Sequence, residues 1–166
     1  NGAFEDCIKL TKAPDMTKTN ALSSINAIFK GCTSLVDAPV IPDSVLDMSE
    51  AFLGDSNIYT ASAFPESVED ISSAYADCIS LEKAASIPAS VINCDSCYSG
   101  CSNLYGELSI NTNTEDCANL LSNAVTSGKT LKLKGKSGRL FEIQQDSGSR
   151  YVTIKNTEKA EKNAKK

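Results

Sequence analysis

One feature limits this chain more than any other: it repeats itself every 23 residues. Segments beginning at Gly31, Gly54, Asp77 and Gly100 align without a gap. One column reads Leu35, Ile58, Leu81, Leu104, another Ile41, Phe64, Ile87, Ile110, and a third Phe52, Tyr75, Tyr98, Leu121. Smaller columns run Cys32, Asp55, Cys78, Cys101 and Pro42, Pro65, Pro88, Asn111. An earlier copy runs from Phe4 to Phe29 and carries an insertion near Thr17 to Asn20. Self-similarity at a fixed period means that each copy buries its apolar face against its neighbours, so the expected fold is an α/β solenoid of about five 23-residue repeats.

Within a copy, the stretch leading to Ile41-Pro42 reads as a short strand stopped by proline. Ser44, followed by Val45, Met48 and Phe52, reads as an N-cap and two helical turns. An extended Val45 to Met48 with a turn only at Glu50 to Gly54 fits as well. The expectation is therefore a short parallel strand plus a short helix or turn per copy.

The residues Gly31-Cys32-Thr33-Ser34-Leu35, Ala38-Pro39, Ile41-Pro42, Val45, Met48 and Phe52, echoed from Asp77 to Tyr98, resemble the BspA-like leucine-rich repeat family of bacterial surface proteins. The likeness covers roughly residues 4 to 122, and the copy beginning at Gly100 departs from it with Asn111 for proline and Thr114 for valine. That resemblance implies a curved leucine-rich-repeat-like solenoid, an extracellular or cell-surface location, and adhesion rather than catalysis. It carries over no functional residues, because the motif positions are structural.

From Lys129 the pattern changes. Three alternating runs, Leu131 to Leu133, Leu140 to Ile143 and Tyr151 to Ile154, are separated by glycine-containing turns and read as a C-terminal antiparallel β cap. The organisation expected is 1–128 solenoid, 129–156 β-rich cap and 157–166 charged tail, the whole a monomeric piece of a longer array. Charge follows the same division. Residues 1–128 hold 5 basic against 17 acidic side chains, and residues 129–166 hold 11 against 4. An acidic body argues against a nucleic-acid partner, and the basic end reads as a solvated cap and tail. No apolar run is long enough for a transmembrane segment.

With no histidine in the chain, Ser-His-Asp and Cys-His catalysis and every histidine-ligated metal site are excluded. Six of the seven cysteines fall in repeat columns, where a small buried hydrophobe explains them without any bond. Cys94, Cys97, Cys101 and Cys117 could form a four-cysteine zinc site, but three of them stand at scaffold columns, so no metal and no cofactor are expected. A Cys94–Cys117 or Cys78–Cys101 bridge between adjacent copies is open at the roughly 5 Å strand spacing, although parallel Cβ vectors make its torsion awkward. Acidic clusters at Asp43, Asp47 and Glu50, and at Glu66, Glu69 and Asp70, read as solvated rather than as a converging acid–base pair.

Binding is expected on the concave sheet, where side chains between core positions point outward. The candidate residues are Val36, Tyr59, Glu82 and Tyr105, with Lys83 beside them. Tyrosine suits such a surface because it joins a rigid ring to a hydroxyl. The functional expectation is a non-enzymatic binding or adhesion module that engages a protein or glycan. A structural spacer within a longer array is the alternative, and a parallel β-helix-like carbohydrate-active enzyme the remotest one.

Overall fold

In the computed structural model, which describes residues 1–19, 21–135 and 137–155, the 23-residue period appears as hydrogen bonding between successive copies. The Phe29 N–H donates to the Ala51 carbonyl at 2.9 Å, Phe52 to Ala74 at 2.8 Å, Tyr75 to Cys97 at 2.9 Å and Tyr98 to Leu120 at 3.0 Å. Isolated parallel bridges link Ser24, Asp47, Asp70, Asn93 and Asp116 in the same register. Aromatic rings follow the backbone. Phe4, Phe29, Phe52, Tyr75 and Tyr98 stack in sequence, with centroids 4.9 to 5.9 Å apart. Leu35, Ile58, Leu81 and Leu104 are all fully buried in the same core, together with Val45, Val68 and Val91.

Regular secondary structure is sparse. Strand β1 is Gly106–Ser109, β2 is Leu131–Lys134, α1 is Leu140–Asp146 and β3 is Val152–Ile154. The three strands form one sheet in the order β1-β2-β3, and both pairings are parallel. The expected leucine-rich-repeat-like solenoid, about five copies of strand plus helix closed by an antiparallel β cap, is therefore corrected: the described residues form a small domain with three parallel strands in one open sheet and a single short helix.

Local causes account for each difference. After the prolines, the backbone turns instead of forming a helix, because Ala27, Glu50, Ser73, Ser96 and Asn119 adopt positive φ of 52 to 56°. A left-handed residue ends any right-handed helix passing through it. The first four are held in that conformation by their engaged N–H groups: Glu50 donates to the Ser72 carbonyl at 2.9 Å and Ser73 to that of Asp95 at 2.9 Å. Ser44 is not an N-cap. Its hydroxyl donates to the Leu22 carbonyl at 2.8 Å, and Ser90 donates likewise to Val68 at 2.7 Å, so these serines bind the preceding copy.

The expected strands before the prolines fail to become regular for another reason. The Ser62 N–H donates to the Tyr75 hydroxyl at 3.0 Å and the Ala85 N–H to the Tyr98 hydroxyl at 2.9 Å. Each of those donors is turned into the core and lost to an inter-strand ladder. The Tyr98 hydroxyl returns a bond to the Ala85 carbonyl at 3.0 Å, so this buried phenol is satisfied. Beyond Gly106 no such diversion is present, and the residues up to Ser109 pair along their whole length with β2.

The run Leu140 to Ile143 is helical, not extended. Leu140 and Ile143 face the core at i,i+3 spacing, Phe141 is left exposed, and Arg139 lies 2.7 Å from Glu142 as an ion pair. With α1 as the crossover, β2 and β3 run parallel, since a helix returns the chain to the same end of the sheet where a tight hairpin would reverse it. Gly135, at φ 128°, ends β2 where any Cβ would collide with the Ile110 backbone. The charged tail expected at 157–166 lies outside the described residues.

Replacing Leu81 by alanine is expected to cost about 2–5 kcal/mol. Tyr59→Ala is expected to stay within about 0.5 kcal/mol, as exposed positions do. Urea denaturation of both variants checks the assignment of faces. Equal losses would mean that the Tyr59 side belongs to the core.

Candidate functional site

The candidate surface is assembled by backbone contacts between copies. Glu82 and Lys83 both donate their N–H groups to the Tyr59 carbonyl, at 2.9 and 3.3 Å, and Tyr105 donates to the Glu82 carbonyl at 3.2 Å. Thr60 and Lys83 form a parallel bridge. Tyr59, Glu82, Lys83 and Tyr105 are thereby brought side by side. Val36 is 41% exposed one copy earlier, and among the described residues no backbone hydrogen bond joins it to Tyr59.

These residues differ in how free they are. Tyr59 is 54% exposed. Tyr105 is half-buried and engaged: its hydroxyl donates to Glu82 Oε2 at 3.1 Å, while Lys83 Nζ and Lys129 Nζ lie 3.8 and 4.2 Å from its ring centroid. At these distances both ammonium groups interact with the ring's negative face. Lys129 Nζ also donates to Glu82 Oε1 at 3.3 Å. Hydrogen bonds from Lys129 and then Tyr105 hold the Glu82 carboxyl below the usual carboxylate range.

The same arrangement continues on the solvent face of the sheet. Glu107 accepts from Lys134 Nζ at 2.6 Å and from Lys155 Nζ at 2.5 Å, which lowers its pKa to about 2. Lys132 pairs in register with Glu107 on one side and Thr153 on the other, and it is exposed. Tyr151 immediately precedes β3, and the Arg150 guanidinium stands 4.9 Å from its ring centroid. Sequence reasoning missed this basic half of the surface. The signal was the alternation of Leu131 and Leu133 with Lys132 and Lys134; what it lacked was the parallel pairing that places those lysines beside Glu107.

Other candidate chemistry resolves into structure. Asp47 Oδ1 accepts the N–H and hydroxyl of Ser49, and Asp70 Oδ1 accepts the Ser72 N–H, so these carboxylates close turns. Cys94 and Cys117 are joined as a disulfide, which removes both from the four-cysteine zinc set. Cys78 and Cys101, the other pair considered, remain thiols. Cys32, Cys78 and Cys101 donate Sγ–H to the carbonyls of Phe4, Phe52 and Tyr75 at 3.0 to 3.1 Å. Burial pushes the Cys32 thiol up to about 11 and those of Cys78, Cys97 and Cys101 well above their ordinary value, which leaves little thiolate for reaction.

Asp55 occupies the same column between Cys32 and Cys78. It is fully buried, and among the described residues neither carboxylate oxygen has a hydrogen-bond partner. Desolvation raises its pKa to about 8, which favours the neutral acid near neutral pH.

No protein-family model, curated protein or solved structure matches the chain. Among the described residues, no helix is long and apolar enough to cross a membrane.

Two measurements test this interior. In the native oxidised protein a thiol reagent is expected to modify one cysteine rapidly, the exposed Cys7; denaturation raises the count to five and reduction to seven. Rapid modification of several thiols in the native state would contradict the buried column. For Asp55, between pH 4 and 8 the folded chain holds a proton that the unfolded chain has released. Its contribution to stability is therefore full below about pH 4 and lost as pH rises, by up to about 1.4 kcal/mol per unit. Asp55→Cys, which installs the residue found elsewhere in the column, is expected to be more stable than the parent at pH 8 by at least about 1 kcal/mol, the difference shrinking toward pH 4. Chemical denaturation across that range reads the difference directly.

Proposed function

We propose that this chain is a non-enzymatic binding module of an exported or cell-surface bacterial protein, engaging a protein or glycan ligand through the surface of Tyr59, Glu82, Lys83 and Tyr105, with Val36 at its margin. The observation that carries the reading is Tyr59: it is 54% exposed, and it sits beside a polar group of fixed geometry, the Glu82–Tyr105–Lys129 contacts. A rigid aromatic ring next to preorganised charged groups is the usual composition of a binding hot spot, because little side-chain freedom is left to lose on association. The likeness of the Gly31 to Phe52 motif to BspA-like surface proteins supports the exported setting. The absence of histidine and the use of Asp47 and Asp70 in closing turns support a module without catalysis.

A mixed glycan and extracellular-matrix protein array, probed with the purified chain, tests the proposal. Tyr59→Ala is expected to weaken retention on the bound spots at least tenfold while the thermal melt stays within a few degrees of the parent. Retention unchanged in both Tyr59→Ala and Glu82→Ala, or no retention by the parent on any spot, would defeat it.

A further inference from the structure

We infer that the ligand of this surface is a carboxylate-bearing polysaccharide, a polymer of uronic-acid type, held along the solvent face of the β1–β2–β3 sheet. The inference rests on the binding-module reading above and names the chemistry of its ligand.

The first observation is charge. Lys83, Lys129, Lys132, Lys134 and Lys155 gather on this face against two acidic groups, Glu82 and Glu107, in a chain whose net charge is −5. A locally positive strip on an acidic protein concentrates anions there and repels them elsewhere. Lys83 and Lys132 are the two lysines of this group with no ion pair among the described residues; Lys83 lies over the Tyr105 ring, and Lys132 stands at the centre of the sheet.

The second observation is that the surface already binds carboxylates, those of its own chain. Glu107 takes two ammonium groups, and Glu82 takes one ammonium and one phenol. The lysines that meet Glu107 come from the adjoining strand β2 and from the residue that follows β3, and the lysine that meets Glu82 lies just before β2. A chain of carboxylated sugars repeats the anionic group, and it also offers the apolar face of a pyranose ring to an exposed aromatic such as Tyr59. Duplex nucleic acid fits less well, because a long stiff polyanion reaching past the strip meets the acidic copies that precede it.

The probe is polygalacturonate, with neutral dextran, dextran sulfate, poly-glutamate and duplex DNA run beside it by affinity electrophoresis and titration calorimetry of the whole chain. Polygalacturonate is expected to bind at low salt and to weaken as ionic strength rises past about 0.15 M, where the screening length falls to about 8 Å. Lys129→Ala with Lys132→Ala should reduce affinity tenfold or more with an unchanged circular dichroism melt. Glu107→Gln, which frees Lys134 and Lys155, should raise it several-fold. The assignment is overturned if polygalacturonate does not bind, if the double lysine variant binds as the parent does, or if dextran sulfate, poly-glutamate or DNA binds more tightly. Should polygalacturonate fail while Tyr59→Ala still abolishes retention on an array spot, the carboxylate assignment falls and the binding module stands.

Discussion

Everything in this protein depends on a backbone N–H of one copy meeting a carbonyl of the next at the same place in the period. With one seven-residue helix and strands of three or four residues, little of the main chain is satisfied inside its own element. Buried amides must nevertheless find acceptors. They find them 22 residues along the chain, at Ala51, Ala74, Cys97 and Leu120. Copies of unequal length would break that register, so a gapless alignment is a physical requirement of the structure. The two-residue longer copy near Thr17 shows how an exception is accommodated: Thr17 and Lys18 lie in an exposed turn, and Phe4 still stacks on Phe29.

Stacking rungs at a spacing set by hydrogen bonds forces like side chains together, and the columns respond to that pressure. Rings stack on rings at 4.9 to 5.9 Å, which aromatic faces tolerate when offset. Thiols stack because they are small and their S–H groups reach a carbonyl. Asp55 is the exception, a carboxyl where its neighbours are thiols, and the column accepts it only as the neutral acid. An ionised group there would be stripped of water beside two buried thiols.

The apolar columns, the boundaries of the copies and the buried thiols Cys32, Cys78 and Cys101 were legible from residue identity; Cys7, expected in the same column, is exposed, and Cys94 and Cys117, expected unbonded, are joined. The conformation between columns was not. Ser44, Val45, Met48 and Phe52 have helical spacing, yet the turn is enforced by positive φ at Glu50, Ser73 and Ser96, none of them a glycine. No local preference announces such a site; hydrogen bonds to the following copy hold it there. The parallel pairing of β2 was hidden for a related reason. Alternation in Leu131 to Lys134 identifies a strand but is silent on its partner, and only the helix from Leu140 to Asp146 makes a parallel return possible.

Charge reveals how the two parts of the sequence are joined. Glu82 and Glu107 belong to the acidic 128 residues, whereas Lys129, Lys134 and Lys155 belong to the basic remainder. Their ion pairs cross the division at the edge where β1 meets β2. Exposed pairs of this kind add little to stability, so the joint itself is the apolar contact of Leu108, Leu131, Leu133 and Val152 in the core beneath. Freed from the work of holding the sheet together, the lysines above it can exchange an internal carboxylate for an external one at small cost to the fold. An anionic ligand on this face therefore competes with Glu82 and Glu107 rather than with water alone, and its affinity is set by the difference between two similar interactions. Selectivity under those conditions comes from spacing: a ligand must present its charges where lysines of adjacent strands can meet more than one of them together.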